Sequence, residues 1–529
     1  MSRPMARRIG TVISGALLLG AAARVAVSGE QWRAPQQPLP ATEVSVAPRT
    51  LTQVCPGPPR LATSAAGQDL GYDEFDPEGS GTDTWLTAVS VARDDAEPGA
   101  LLVQPDLAAD ATQEAARAGQ VRLGELTDIG QPSALHAEPV EQQLALAAGT
   151  SIALTQEGDL RGLAATSCQV PASSHWLVGG STEPGDSAQL VLANPGDTAA
   201  TVTLRGWGST GPLDLAGAGN VLVPPHGEQV VLLEALATDP RIAIQLEAAG
   251  GTVSATLQDS RLRGLVPAGT DFVTAGPAPS EQLVIPGVVL AETSGEGGDA
   301  PQVRIVNPGE EPVTATLELL GAEGSSDVPG AADMVIDPGA VVDVSLAGLP
   351  AGTWTALVQA DGPVAGAAVV TIAGTPEDGD TPPIDRTWLP ATAGFATGVS
   401  ALPAAGSAIE AGLVLANPAD TETTVHVVPI LADGTRGDQV ERTVAPGTTI
   451  RENVDDLASE ELVALEVQSE ETVHAAIVLT AQAPDGALIS GLSLTEDART
   501  AQAVPLVPTS RPLRCVPPPA PMVGPRHRP

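Results

Sequence analysis

Lysine is missing from all 529 positions, so the 25 basic residues are arginines, set against 64 acidic ones. Its absence excludes Schiff-base catalysis and any phosphate-binding loop that needs a lysine. Aromatic residues are nearly as scarce: six Trp, three Phe and the single Tyr72. So few rings argue against a sugar cleft, which uses stacking faces. Gly-x-Ser-x-Gly, His-Glu-x-x-His and Cys-x-x-Cys are absent, and His136, His175, His226, His426, His474 and His527 stand singly. No catalytic, cofactor-binding or metal-ligating set is expected. No apolar run after residue 34 is long enough to span a bilayer.

What is present is acidic charge. The formal net charge is −39, and the ends hide part of it. Residues 1–33 hold five Arg and one acid, and residues 499–529 hold five Arg and none; the stretch between carries 15 Arg against 63 acids. Such a surface repels phosphate backbones, which excludes nucleic acid as a partner. Arg3, Arg7 and Arg8 precede an apolar run from Ile9 to Ala23. This has the form of an export segment, either a cleaved signal peptide or a short uncleaved anchor helix. An extracytoplasmic location follows, membrane-anchored or secreted, with membrane contact only through that segment. The three cysteines then suggest one disulfide: Cys55 with Cys168 is favoured, and Cys515 in the Pro-rich tail is the other possible partner for either.

One phrase occurs three times, ending in Asn194-Pro195, Asn307-Pro308 and Asn417-Pro418, at spacings of 113 and 110 residues. Two further anchors recur in register. A turn contains Pro225, Pro338 or Pro446, and a leucine follows 11 residues later, at Leu236, Leu349 and Leu457. A spacing of this size is one small domain repeated. Between the anchors the hydrophobic period is two, as at Val202 and Leu204 or Val313, Ala315, Leu317 and Leu319, the pattern of antiparallel sheets with one buried face. The expected class is all-β: tandem immunoglobulin-like sandwiches of about seven strands, with an N-terminal export or anchor helix and disordered ends. Each repeat is expected to close with a hairpin, around Ala249-Gly250-Gly251, Asp361-Gly362-Pro363 and Ser469-Glu470-Glu471. Asn-Pro reads as a structural turn, since Asn can bond its own backbone two residues on and Pro cannot donate to a ladder. Trp176, Phe272 and Trp388 read as aromatic anchors of the first strand of the next sandwich.

The expected division is 1–29 signal or anchor, 30–54 linker, 55–172 a degenerate first sandwich, 173–274, 275–384 and 385–504 three clearer ones, and 505–529 a basic Pro-rich tail. Two local signals carry alternatives. The acidic stretch Asp73 to Asp83 concentrates oxygen ligands of the kind calcium prefers, without EF-hand spacing. Arg436-Gly437-Asp438 matches the integrin tripeptide and is explained by turn chemistry.

With the export segment, Cys55-Pro56-Gly57-Pro58, Cys168 followed by Pro171 and Trp176-Leu177-Val178-Gly179-Gly180, and the Asn-Pro repeats assembled, the chain resembles a family of actinobacterial exported proteins catalogued as a domain of unknown function. The resemblance runs from about residue 40 to 508 and implies an envelope location without an activity. The modules also look like bacterial immunoglobulin-like domains of surface proteins. The expected function is a non-enzymatic envelope scaffold, spacer or binding protein whose partner is an unidentified envelope protein or polymer, with no sign of a homo-oligomer. The alternatives are a carboxylate-based or accessory protein acting on envelope glycans, and a calcium-stiffened surface rod.

Overall fold

Alternating Val, Leu and Thr runs form antiparallel sheets throughout the computed structural model, which describes residues 48–61, 81–93, 97–109, 112–141, 143–215, 219–295, 297–376, 381–404 and 407–497. The export segment, the basic tail with Cys515, Tyr72, His527 and most of the Asp73 to Asp83 stretch lie outside the described residues. Among the described residues the only helical elements are three-residue 3-10 turns, such as Leu233–Ala235 and Val454–Asp456. None is long and apolar enough to cross a membrane.

The second repeat shows the plan. One sheet runs Ser174–Val178, Ala243–Ala249, Ala200–Gly208, with Gly211–Leu213 and Val221–Val223 on its outer edge; the other runs Gly227–Leu232, Asp186–Asn194, Ser254–Arg263, Val266–Val273. The pairing departs from the immunoglobulin order, in which the first strand pairs with the second and the seventh with the sixth. Here the first strand, Ser174–Val178, pairs with Ala243–Ala249, and the second, Asp186–Asn194, pairs with Ser254–Arg263.

The reason lies at the segment expected to be a hairpin, and that expectation is corrected. Ala243–Ala249 and Ser254–Arg263 do not pair with each other. In the third and fourth repeats the two halves are one 22-residue strand, Gly352–Ala373 and Leu462–Ala483, whose first half pairs in one sheet and whose second half pairs in the other. Asp361-Gly362-Pro363 and its counterparts bend the chain from sheet to sheet without reversing it, as corners of packed sheets do.

Each inner sheet ends in a short strand: Gly162–Ser167, Val266–Val273, Ile384–Pro390 and Gly486–Ser493 in repeats one to four. These four innermost strands touch in a closed cycle, the first against the second, the second against the third, the third against the fourth and the fourth against the first. The apolar cores are continuous across three of the four seams. Val306, Val341, Val369 and Trp388 of the third repeat join the core of the second, Val414, Val478 and Ile489 of the fourth join that of the third, and Ile152, Leu154 and Leu163 of the first join that of the fourth.

The aromatic anchors are also revised. Trp176 does lie in the first strand of the second repeat, stacked on Trp207 at 5.0 Å. Phe272 and Trp388 instead lie in the innermost strands of the second and third repeats, and because Ile384–Pro390 pairs with Gly352–Ala373, residues 385–390 belong to the third repeat rather than, as expected, to the fourth. Phe272 packs on Ala153 and Ala164 of the first repeat. Trp388 packs on Gly179, where an added Cβ would come within 2.9 Å of the indole. That contact accounts for Gly179, and a left-handed φ of +81° accounts for Gly180.

Candidate functional site

An innermost strand has a free edge, and a free edge exposes a row of unpaired N–H groups. In this chain the neighbouring repeat covers that edge with side chains. Strand register makes the arrangement systematic. Leu190, Val303 and Leu413, each four residues before the repeat's Asn, pair with Leu257, Ala368 and Ile477, which pair in turn with Val273, Leu389 and Leu492. Two residues before these last three stand Asp271, Thr387 and Ser490, so one polar position recurs on three innermost strands.

Asp271 accepts from the Trp388 backbone N–H at 2.9 Å and from the Ser490 hydroxyl at 3.1 Å, joining the second, third and fourth repeats. Ser490 Oγ accepts from the Ala165 N–H of the first at 3.0 Å. Asp385 Oδ2 accepts from Ile489 N at 2.8 Å and Leu163 N at 3.3 Å, tying the third repeat to the fourth and first. Asp259 accepts from the Trp388 indole N–H at 2.8 Å and stands 3.6 Å from the Arg386 guanidinium. Arg386 Nε donates to Ala268 O at 2.7 Å. Asp259, Asp271 and Asp385 are all at most 1% exposed.

Burial sets the protonation of this hub. It pushes the Asp271 carboxyl well above the usual carboxylate range, with the charge of Asp385 adding to the rise. It raises Asp385 to about 7, although the backbone N–H groups of Ile489, Arg386 and Leu163 and the Arg161 charge oppose it. Arg386 is lowered to about 10 by the same desolvation, helped by Arg261 and opposed by the nearby aspartates. Carboxyls therefore do converge where the repeats meet, but as hydrogen-bonded edge caps shut away from solvent.

The residues singled out in the sequence fall elsewhere. Cys55 and Cys168 form the disulfide, with a Cα–Cα distance of 4.3 Å. The bridge anchors a strap: the Arg60 backbone exchanges hydrogen bonds with the Gln258 and Gln189 side chains of the second repeat, and its guanidinium meets Glu228 at 2.9 Å. Each Asn-Pro is the same clamp. Asn194 Oδ1 accepts from Gly196 N, and its amide donates to Thr198 O and Val223 O. Asn307 makes the equivalent bonds to Gly309, Glu311 and Ile336, and Asn417 to Ala419, Thr421 and Val444. The bond to Val223, Ile336 or Val444 holds the Asn turn against the strand that leads into the proline turn, which is why the two anchors keep register.

The histidines have separate partners: His175 faces Val253 O at 2.7 Å, His226 faces Asp197 at 2.9 Å, and His474, lowered to about 4 by burial, faces Thr392. Arg436 of the Arg-Gly-Asp tripeptide binds Glu466 at 2.8 Å and the Ala92 carbonyl at 2.7 Å, so it is committed to the seam between the fourth and first repeats. No group of three or more His, Cys, Asp or Glu suited to a metal ion occurs among the described residues.

Comparison with known proteins places residues 124–455 in a family described as "Family of unknown function (DUF5719)", and the chain belongs to that family. No curated protein matches it. A solved structure titled "Biofilm associated protein - BSP domain" is similar at 10% identity over 88% of this chain and 99% of that one. Its TM-score of 0.12 gives it no weight as a guide to fold or activity.

Proposed function

We propose that the chain is an exported, non-enzymatic protein of the cell envelope that acts as a scaffold or binding protein for an envelope protein or polymer. The observation that carries this reading is the Cys55–Cys168 disulfide, buried at the root of the strap. Structural disulfides form and persist outside the reducing cytosol. The Arg-flanked apolar run at the N-terminus supports the same compartment.

Among the roles weighed from sequence, scaffold and binding protein gain support over spacer or rod. The fourth repeat packs on the first through Val399, Ala401, Val428 and Ile430 against Val89, Val91, Val121 and Leu146. A rod would leave those two repeats apart. Glycan chemistry at a repeat junction loses support, because the converging carboxyls are edge caps under the surface. The test is fractionation of the native host combined with thiol trapping. Folded protein outside the cytoplasmic fraction with Cys55 and Cys168 oxidised is expected. Folded protein in the cytoplasm with both thiols free would end the reading.

A further inference from the structure

A nucleophile and a base meet in the first repeat, away from the hub. Leu51–Cys55 is the edge strand of its sheet; it pairs with Ser133–Ala137, which pairs in turn with Leu101–Gln104. Val54 exchanges two backbone hydrogen bonds of 2.8 Å with Gln169, on the side away from Ser133–Ala137. Backbone direction alternates along a strand, so Thr52, two residues earlier, also turns its N–H and C=O to that side. Thr52 and His136 are therefore a non-hydrogen-bonded cross-strand pair, the kind whose side chains come closest. Thr52 Oγ1 lies 3.1 Å from His136 Nδ1.

A third side chain fixes the tautomer. Gln104 Nε2 donates to Leu107 O at 3.2 Å and to Ala109 O at 2.7 Å, which turns Gln104 Oε1 toward His136 Nε2 at 3.2 Å. An amide oxygen only accepts, so the imidazole proton is on Nε2, and Nδ1 is left to accept from the Thr52 hydroxyl. Burial lowers the His136 pKa from 6.5, with His226 of the second repeat adding to the fall and Glu138 opposing it, so the ring is neutral at pH 7. A hydroxyl, a neutral imidazole within hydrogen-bond reach and a group that orients the imidazole are the parts of an activated nucleophile.

The surroundings narrow the chemistry. Gln104 is buried, whereas Thr52 and His136 are partly exposed, beside the place where Val54 and Ala134 pack on Ala193 of the second repeat. Solvent could satisfy a hydroxyl so placed, so the imidazole is not needed merely to give it a partner. The Thr52 N–H, turned out of the ladder, is a backbone donor beside the nucleophile for a developing oxyanion. The Glu138 carboxylate, held by the Thr50 hydroxyl at 3.1 Å, carries negative charge to the same edge of an acidic chain. That charge disfavours phosphoryl and other anionic donors and leaves an uncharged acyl ester.

We propose that Thr52 is an acyl-acceptor site. Its Oγ1 attacks the carbonyl carbon of an uncharged ester, His136 Nδ1 takes the hydroxyl proton, and that proton passes to the departing alcohol as its C–O bond breaks. The product is an acyl ester on Thr52, so the chain is the acceptor of one acyl group and not a turnover enzyme. This goes beyond the scaffold role proposed above and is tested without reference to compartment. The probe is p-nitrophenyl butyrate, incubated with the full, disulfide-intact chain; p-nitrophenolate release is followed by absorbance and the modified residue is found by peptide mass spectrometry. One equivalent of release and a butyryl group on Thr52 are expected. Thr52→Val should abolish the label, Thr52→Ser should keep it, and His136→Gln should slow it about 100-fold or more, each with the melting temperature unchanged. The labelling rate of the unaltered chain should rise with pH through a midpoint below 6.5, a step that His136→Gln should lose. Unfolding in urea should bring Thr52 down to the labelling rate of the other threonines. Label spread evenly over the hydroxyls of the folded chain, a rate indifferent to His136→Gln, or release that continues past one equivalent would overturn the proposal.

Discussion

The seam between the first and second repeats, which are neighbours in the chain, is thinner than the seam between the first and fourth, which are its ends. Phe272 with Ala153 and Ala164, and Ala193 with Val54, Leu107 and Ala134, are the small apolar clusters of the first seam. The disulfide-rooted strap is laid across it. The other seam has two broad apolar clusters, two ion pairs, Arg93–Asp497 and Arg161–Asp485, and the hydrogen bond from Arg436 to the Ala92 carbonyl. Chain connection already keeps adjacent repeats close, so their seam needs little surface. Closing the cycle joins residues more than 400 positions apart, as Arg93 and Asp497 are, and requires enough contact to offset the entropy of that loop.

The comparison breaks most sharply at Arg93. Its guanidinium makes a two-pronged pair with Asp497 at 2.5 and 2.6 Å, and both side chains are under 5% exposed. Arg93→Met would leave a buried carboxylate without its main counter-charge, at a cost of about 3–5 kcal/mol. Urea unfolding should show that loss, and hydrogen exchange should show it concentrated in Thr82–Val91 and Phe395–Ala401. Adding Asp497→Leu should recover part of it. A loss under about 1 kcal/mol would mean that the apolar clusters alone close the cycle.

At the thinner seam the disulfide is the corresponding lever. Cys55→Ser with Cys168→Ser opens a loop with a sequence separation of 113 and should lower stability by up to about 4 kcal/mol in the chain-entropy account. The distinguishing readout is local: Arg60 on the strap should lose exchange protection while the seam between the fourth and first repeats keeps its own. Uniform loss across both seams would show that they are not separate units.

Asp385, from the third repeat, reaches into the seam between the first and fourth, where it caps both Leu163 and Ile489. Its folded value of about 7 lies above the ordinary 3.8, so between those values the folded chain holds a proton that the unfolded chain releases. Its contribution is therefore complete below about pH 4 and is lost as pH rises through 7. Arg161 faces this carboxyl favourably and Asp271 unfavourably. Stability should fall by on the order of 2 kcal/mol between pH 5 and 7 from this group. Asp385→Asn retains an oxygen to accept both N–H bonds and cannot ionise, so its profile should be flatter over that window. Parallel profiles for the two proteins would remove Asp385 as the titrating group.

Much of each repeat was legible in the sequence, and almost none of the seams. Asn194, Asn307 and Asn417 were readable because a clamp that bonds two residues on and across to the next turn tolerates few substitutes and recurs wherever the turn recurs. The sheet-switching strands were misread because a short polar or Gly- and Pro-containing break between two apolar runs serves equally for a reversal and for a bend. The hub was missed because Asp271, in an alternating stretch, has the pattern of a wet face. Its one available signal was Asp385-Arg386-Thr387 inside an otherwise apolar strand, three polar residues in succession that no single solvent face accommodates. Which strand edge such residues cap depends on partners more than 100 positions away, as Asp271 and Ser490 are, and local pattern carries no information about that.

The smallest effect separates the strap's backbone role from its charge. Arg60 and Glu228 are 35% and 24% exposed, and an ion pair so open to solvent contributes roughly 0.2–1 kcal/mol. Arg60→Ala keeps the backbone N–H and C=O that meet Gln258 and Gln189, so it should cost less than 1 kcal/mol and leave strap exchange rates nearly unchanged. Gln258→Ala removes a side chain that both accepts from and donates to that backbone in a buried setting, and should cost more, about 1–3 kcal/mol. If the order is reversed, the guanidinium holds the strap, and the thin seam is an electrostatic contact whose strength falls as salt is added.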